Sequence, residues 1–148
     1  MTKITILPLK KQLLFVGLVT LTFFNSCDSD EASNIPLVNV NFQYNINLPA
    51  YLPLQTIGGS VEVFGGSRGI ILYRASQTEI KAFDRHCTFE PSNTCGLVSA
   101  DPNRITGTDN CCGSSFLLTS GGVSQPPAAV PLKEYTSIFN DPILTVTN

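Results

Sequence analysis

The 148-residue chain has no tryptophan, one methionine and one histidine, and only 14% of its residues are charged. The lone imidazole, His86, cannot supply two histidine ligands to one metal. The chain offers no credible nucleophile–histidine pair and no paired-carboxylate motif, so it is expected not to be an enzyme. Basic residues are scarce, nine in all, and Lys3, Lys10 and Lys11 already account for three of them. No basic patch is left downstream to serve as a nucleic-acid surface. Beyond the N-terminal region no stretch of twelve or more residues carries apolar side chains at helical period, which excludes a helical bundle. There is no internal repeat.

What is present begins with a leader. The three lysines precede an uncharged run, Leu13 to Phe24, too short to span a bilayer comfortably and of the length of a signal-peptide core. It ends in "FNSC", Phe24 to Cys27. Small Ser26 before Cys27 resembles a lipobox, with Phe24 where a leucine is usual; the resemblance implies cleavage before Cys27 and lipid on its thiol. The tether that follows, "DSDEASN", is acidic and resembles surface-export signals of Bacteroidetes lipoproteins. The organisation expected is a signal peptide over 1–26, an acidic tether over 27–36 and one domain over 37–148. The part from Cys27 onward keeps six basic against eleven acidic residues, a net charge of −5. The expected location is the cell envelope of a Gram-negative bacterium, on the outer membrane, at its periplasmic or surface face. The membrane is the one partner expected, through lipid on Cys27, and no protein partner is named by the sequence.

Within the domain, "VNVNFQYNI" (Val38 to Ile46) alternates apolar and polar residues strictly, the pattern of a half-buried strand. "NLPAYLPLQT" is expected to be a loop, because Pro49 and Pro53 block regular pairing. Glycine pairs and a Ser-Gln-Thr cluster separate expected strands at Ser60 to Phe64, Gly69 to Arg74 and Glu79 to Asp84. Further strands are expected near Leu97 to Ser99 and Arg104 to Thr106. "SFLLTSGGVS" reads as a hairpin turning at Gly121-Gly122. "QPPAAVP" is an extended loop, and "LKEYTSIF" and "ILTVTN" are the last two strands. The class is all-β, an antiparallel sandwich or small barrel.

Two stretches, "GIILYRASQTEIKAFDRHCTFEP" and "CCGSSFLLTSGGVSQPPAAVPLKEY", resemble the Rieske iron–sulfur domain. In that family two facing loops, each with a cysteine and a histidine, hold a 2Fe–2S cluster. "GSSF" (Gly113 to Phe116), Gly121-Gly122, "QPPAAVPL" and Tyr135 fall in step with the family's second loop and its sequel. The resemblance spans roughly Ser60 to Asn148, with the two cysteine loops in a subdomain at about 84–117. More narrowly, it points to lipid-anchored Rieske-like proteins of Bacteroidetes.

Carried over position by position, the first-loop cysteine falls on Cys87 and the first-loop histidine on Phe89 or Glu90. The second-loop cysteine falls on Asp109 and the second-loop histidine on Cys112. Only Cys87 keeps its expected identity. His86 precedes Cys87, and neighbours on extended backbone point to opposite faces, so it is expected to look away from the site, as a loop histidine near the surface. Asp84-Arg85 reads as a structural turn pair.

Many Rieske proteins carry a further disulfide, one cysteine in each loop, and those positions match Cys95 and Cys111. In an exported chain an even set of cysteines is read as disulfides. A bond between adjacent Cys111 and Cys112 is strained; the resemblance favours Cys95–Cys111 with Cys87–Cys112, and the swapped pairing stays open. The function expected is an exported, lipid-anchored structural or interaction module that has lost most of its cluster ligands, is stapled by two disulfides and carries no cofactor. The alternative is an electron-transfer protein whose 2Fe–2S cluster would draw on Cys87, Cys112, Asp109, Glu90 and His86, although hard carboxylates suit such clusters poorly. A zinc site made from the four cysteines is disfavoured, since an adjacent pair is not a normal chelate spacing.

Overall fold

The computed structural model describes residues 35–102 and 104–148. The expected signal peptide, Cys27 and the tether as far as residue 34 lie outside the described residues. The last two tether residues pack on the domain: Ile35 is buried, and the Pro36 carbonyl accepts from Lys133 Nζ at 3.5 Å.

Among the described residues, ten strands form two antiparallel sheets. The first six in play are β1 (Asn41–Asn45), β2 (Ser60–Val63), β3 (Ile70–Arg74), β4 (Ile80–Asp84), β5 (Val98–Ala100) and β6 (Thr106–Asp109). They are followed by β7 (Ser115–Leu117), β8 (Val123–Gln125), β9 (Glu134–Asn140) and β10 (Ile143–Thr147). The six-stranded sheet runs β1-β10-β9-β4-β3-β2, and the four-stranded sheet runs β5-β6-β7-β8. The chain is therefore all-β, as its alternation and turn chemistry predict. Because β8 pairs with β7, the cysteine-loop subdomain continues past residue 117.

The "IILY" run explains how the layers join. All five residues of β3 are buried, the signature of a strand covered on both faces. Ile70 and Leu72 enter one core with Val40, Leu54, Ile80, Tyr135 and Val146. Ile71 and Tyr73 enter a second core with Phe83, Cys87, Val98, Phe116 and Leu118. The second core lies beneath the two cysteine loops, so burial of these side chains fixes where the loops stand.

Two local expectations are corrected. Pro49–Gln55 is a 3-10 helix rather than an open loop. Proline is tolerated at its start, where no N–H is needed; bonds such as Tyr51 N to Leu48 O (2.9 Å) close the turns, and Leu54 anchors it in the core. The strand expected at Arg104 to Thr106 begins at Thr106 instead. Register with β5 sets Val98 opposite Asp109, and the Thr106 and Thr108 hydroxyls both bond to Asp101, at 2.6 and 3.0 Å.

Among the described residues no helix is long and apolar enough to cross a membrane.

Candidate functional site

The first loop, 85–97, leaves β4, and the second, 110–114, joins β6 to β7. They are linked covalently by a Cys95–Cys111 disulfide, with Cα atoms 5.8 Å apart, inside the usual range of about 4.4–6.8 Å. The second bond, Cys87–Cys112, is not formed. Those residues are free thiols whose sulfurs lie 3.7 Å apart, in van der Waals contact and far beyond the ~2.05 Å of a disulfide. The expectation of two staples is corrected to one.

Asp109 completes a group with this pair: ligand atoms of Cys87, Asp109 and Cys112 all lie within 4.8 Å of one another. Asp109, at the end of β6, is only 1% exposed. Its Oδ1 accepts from Cys111 N at 2.8 Å, and its Oδ2 accepts from the Cys112 thiol at 3.2 Å. Burial works against the Asp109 carboxylate, but hydrogen bonds from the Cys87 thiol, the Cys111 and Leu97 amides and the Cys112 thiol hold its pKa below the ordinary value. The Cys87 thiol is pushed well above its ordinary value, first by burial and then by its hydrogen bond to Asp109. Cys112 also meets Ser114: the Ser114 hydroxyl lies 3.1 Å from its sulfur and the Ser114 N–H donates to it at 3.4 Å.

The other sequence candidates stand elsewhere. Glu90 is exposed in a turn at φ +47°. Phe89 packs on the second core. His86 does lie outside the three-residue group, but it is buried, at 4% exposure, rather than near the surface. It is held between two loops: Nδ1 is 2.8 Å from Ser67 Oγ and Nε2 is 2.7 Å from the Pro91 carbonyl. A carbonyl only accepts, so Nε2 carries a hydrogen.

Three features escaped the sequence. Arg68, in the glycine-rich turn, donates to the carbonyls of Asn93 (2.7 Å) and Gly96 (2.6 Å). An arginine beside a turn that faces an apolar-poor loop was the available signal. Asp84, expected in a turn pair, ends β4 fully buried and accepts from Ser67 N (2.6 Å), His86 N (2.8 Å) and the Tyr135 hydroxyl (2.6 Å). Arg85 bridges the sheets: it pairs with Glu62 on β2 at 2.8 Å and donates to Val98 O on β5 at 2.8 Å. The cysteine loops thus rest on a hydrogen-bonded polar floor of Ser67, Arg68, Asp84 and His86.

No protein-family model matches the sequence, and no curated protein matches it. Solved structures do. The cyanobacterial plasma membrane Rieske protein PetC3 from Synechocystis PCC 6803 superposes with a TM-score of 0.53 at 20% identity, over 76% of this chain and 100% of that one. The fold is Rieske-like. A chain from the complex of reduced oxygenase and oxidized ferredoxin in carbazole 1,9a-dioxygenase aligns at TM-score 0.45 and 20% identity, over 61% of this chain and 81% of its own. The E. coli protein NirD aligns at 0.43 and 14% identity, over 74% and 98%. In the Rieske-like fold of this chain, three of the four positions that the sequence resemblance equates with cluster ligands, Cys87, Asp109 and Cys112, meet between the loops, and the fourth, Phe89 or Glu90, does not.

Proposed function

We propose that this is an exported, lipid-anchored protein in which a Rieske-like domain serves as a structural or interaction module, without a Rieske cluster and without enzymatic activity. One observation carries the reading: Cys87 and Cys112 touch, sulfur to sulfur, at 3.7 Å. Contact at that distance leaves no room between them for a two-iron core.

The donor set supports the same conclusion. A Rieske centre needs two histidines on one iron, and the chain has one. Both nitrogens of that histidine are engaged by Ser67 and Pro91. His86 stands at neither ligand-histidine position: where the first-loop histidine would be, Phe89 packs against the apolar core, and where the second-loop histidine would be stands Cys112. The Cys95–Cys111 disulfide and the polar floor keep the loops closed without a cluster. The kinship with lipid-anchored Rieske-like proteins of Bacteroidetes, the Cys27 anchor and an outer-membrane location rest on the "FNSC" segment, the acidic tether and the sequence resemblance.

Iron and acid-labile sulfide assays on the exported protein, with a visible absorption spectrum, test the reading. The expected result is a colourless protein with no stoichiometric iron. About two irons per chain with iron–sulfur absorption would replace the reading by electron transfer. Cys27→Ser tests the anchor separately: it is expected to yield an unprocessed or soluble form.

A further inference from the structure

The thiol–carboxylate group has a chemistry of its own. Two thiols and one carboxylate converge between two loops that a disulfide already ties together. We propose that Cys87, Cys112 and Asp109 bind a single divalent ion of the zinc type, with one coordination position left for water or an incoming ligand. The inference rests on the absence of a 2Fe–2S cluster from these residues and is independent of the lipid anchor.

Geometry is the first ground. Two thiolates on one tetrahedral zinc, each about 2.3 Å from it, stand about 3.8 Å apart. Cys87 Sγ and Cys112 Sγ are 3.7 Å apart. A carboxylate oxygen bonded to the same ion at about 2.0–2.2 Å lies near 3.5 Å from each sulfur; Asp109 Oδ2 is 3.2 Å from Cys112 Sγ. Two edges of the group are thus within a few tenths of an ångström of the spacing an ion needs, and the third, between Cys87 and Asp109, is no longer than 4.8 Å.

The surroundings are the second ground. Asp109 Oδ1 is tied to the Cys111 amide, which orients the carboxylate and leaves Oδ2 turned to the thiols. The Ser114 N–H already points at Cys112 Sγ. Ser114 Oγ accepts from Ala128 N at 2.9 Å and from the Cys112 thiol at 3.1 Å, which holds the hydroxyl beside that sulfur. Such outer partners fix ligands and support charge on them. Cys87 is buried, whereas Cys112 is half-buried, so one edge of the group faces solvent and gives an ion a way in.

Donor type selects the ion. Two sulfurs disfavour calcium and magnesium, and two thiolates with a carboxylate suit a borderline or soft dication. Loading exchanges the two thiol protons, released to solvent, for one ion, with no change of oxidation state.

The test uses the full exported chain, isolated without oxygen, with the Cys95–Cys111 bond verified by mass. Cobalt(II) is titrated in as a coloured stand-in for zinc. The expected result is saturation at one ion per chain, a sulfur-to-cobalt charge-transfer band, intense tetrahedral d–d bands, and bleaching by equimolar zinc. Cys112→Ser, at a half-exposed position, should abolish the charge-transfer signal while the fold persists. Cys87→Ser should do the same, and Asp109→Asn, which removes a direct ligand, should weaken binding by at least the about 10- to 100-fold that losing an outer partner costs. No charge-transfer band in protein with two titratable thiols overturns the inference, as does undiminished binding in Cys112→Ser. So does protein that isolates with a Cys87–Cys112 bond and refuses cobalt after that bond is reduced. In all three cases the cluster-free reading stands. Two irons with acid-labile sulfide would overturn both.

Discussion

The Tyr135 hydroxyl donates to Oδ2 of Asp84 over 2.6 Å, joining β9 to β4 across 51 positions of sequence. Asp84 is fully buried, and its partners include the backbone of the glycine-rich turn and of the first cysteine loop. One carboxylate therefore couples the large sheet to the floor of the site. The arrangement matters because a buried charge is tolerated only when its hydrogen bonds are made.

Removing the pair one member at a time should be costly. Tyr135→Phe loses one hydrogen bond to a charged group and is expected to destabilise by about 1.5–3 kcal/mol. Asp84→Asn replaces one acceptor oxygen with an NH2 donor facing N–H and O–H groups that need an acceptor, and should cost at least as much. In a double-mutant cycle by urea denaturation, the two changes should be non-additive by about 0.5–3 kcal/mol. Additive effects would mean that the contact carries no coupling.

Gly66 should be intolerant of any side chain. Its φ is +61°, and a Cβ there would sit 2.5 Å from the Tyr135 hydroxyl and 2.6 Å from Asp84 Oδ2. Gly66→Ala therefore pays for the left-handed backbone and also pushes apart the Asp84–Tyr135 bond. The expected loss exceeds about 1 kcal/mol. In a Tyr135→Phe background, where the hydroxyl is gone, the loss should shrink.

The strands were legible because alternation and turn residues are local: "VNVNFQYNI" and "IILY" announce which faces are covered. The 3-10 helix was not, since prolines that forbid strand pairing also fit the first turn of a helix, and Leu54's burial depends on distant strands. His86 was misplaced because its position is set by Ser67 and Pro91, on two different loops. Asp84 was underestimated for the same reason, its decisive partner being 51 residues away. The Cys95–Cys111 pairing was reachable only through the family resemblance. The state of Cys87 and Cys112 was not legible at all, because a bonded pair and a touching pair leave the same sequence.

Thiol counting separates those two states. Alkylation of the denatured, unreduced domain should label Cys87 and Cys112 and leave Cys95 and Cys111 unlabelled, giving two free thiols among the four. Reduction of the Cys95–Cys111 bond, which closes a sequence separation of 16, should cost about 3 kcal/mol by loop entropy. Hydrogen exchange should rise first in 88–96, where bonds to Arg68 and His86 and from the Thr88 hydroxyl to the Val130 carbonyl would remain as ties.

Alkaline pH should undo the domain before mild acid does. Burial, reinforced by Asp109, raises the Cys87 pKa in the folded chain above its ordinary 9.0; burial, reinforced by Asp84, raises that of Tyr135 above 10.0. Each group therefore holds a proton when folded that it gives up when unfolded. The stabilisation is complete below the unfolded values and is lost as the pH rises through the folded ones. From these two groups stability should be flat between about pH 5 and pH 9 and then fall, with a slope approaching about 1.4 kcal/mol per pH unit for each group. Asp109 has the opposite sign: its folded pKa is lowered from 3.8, so its contribution is present above that value and lost as the pH drops through the folded one. Denaturation midpoints measured between pH 3 and 11 test this directly. Cys87→Ala should remove the part of the decline that starts at pH 9, and Tyr135→Phe the part that starts at pH 10. An alkaline limb unchanged in both variants would assign the loss to other groups.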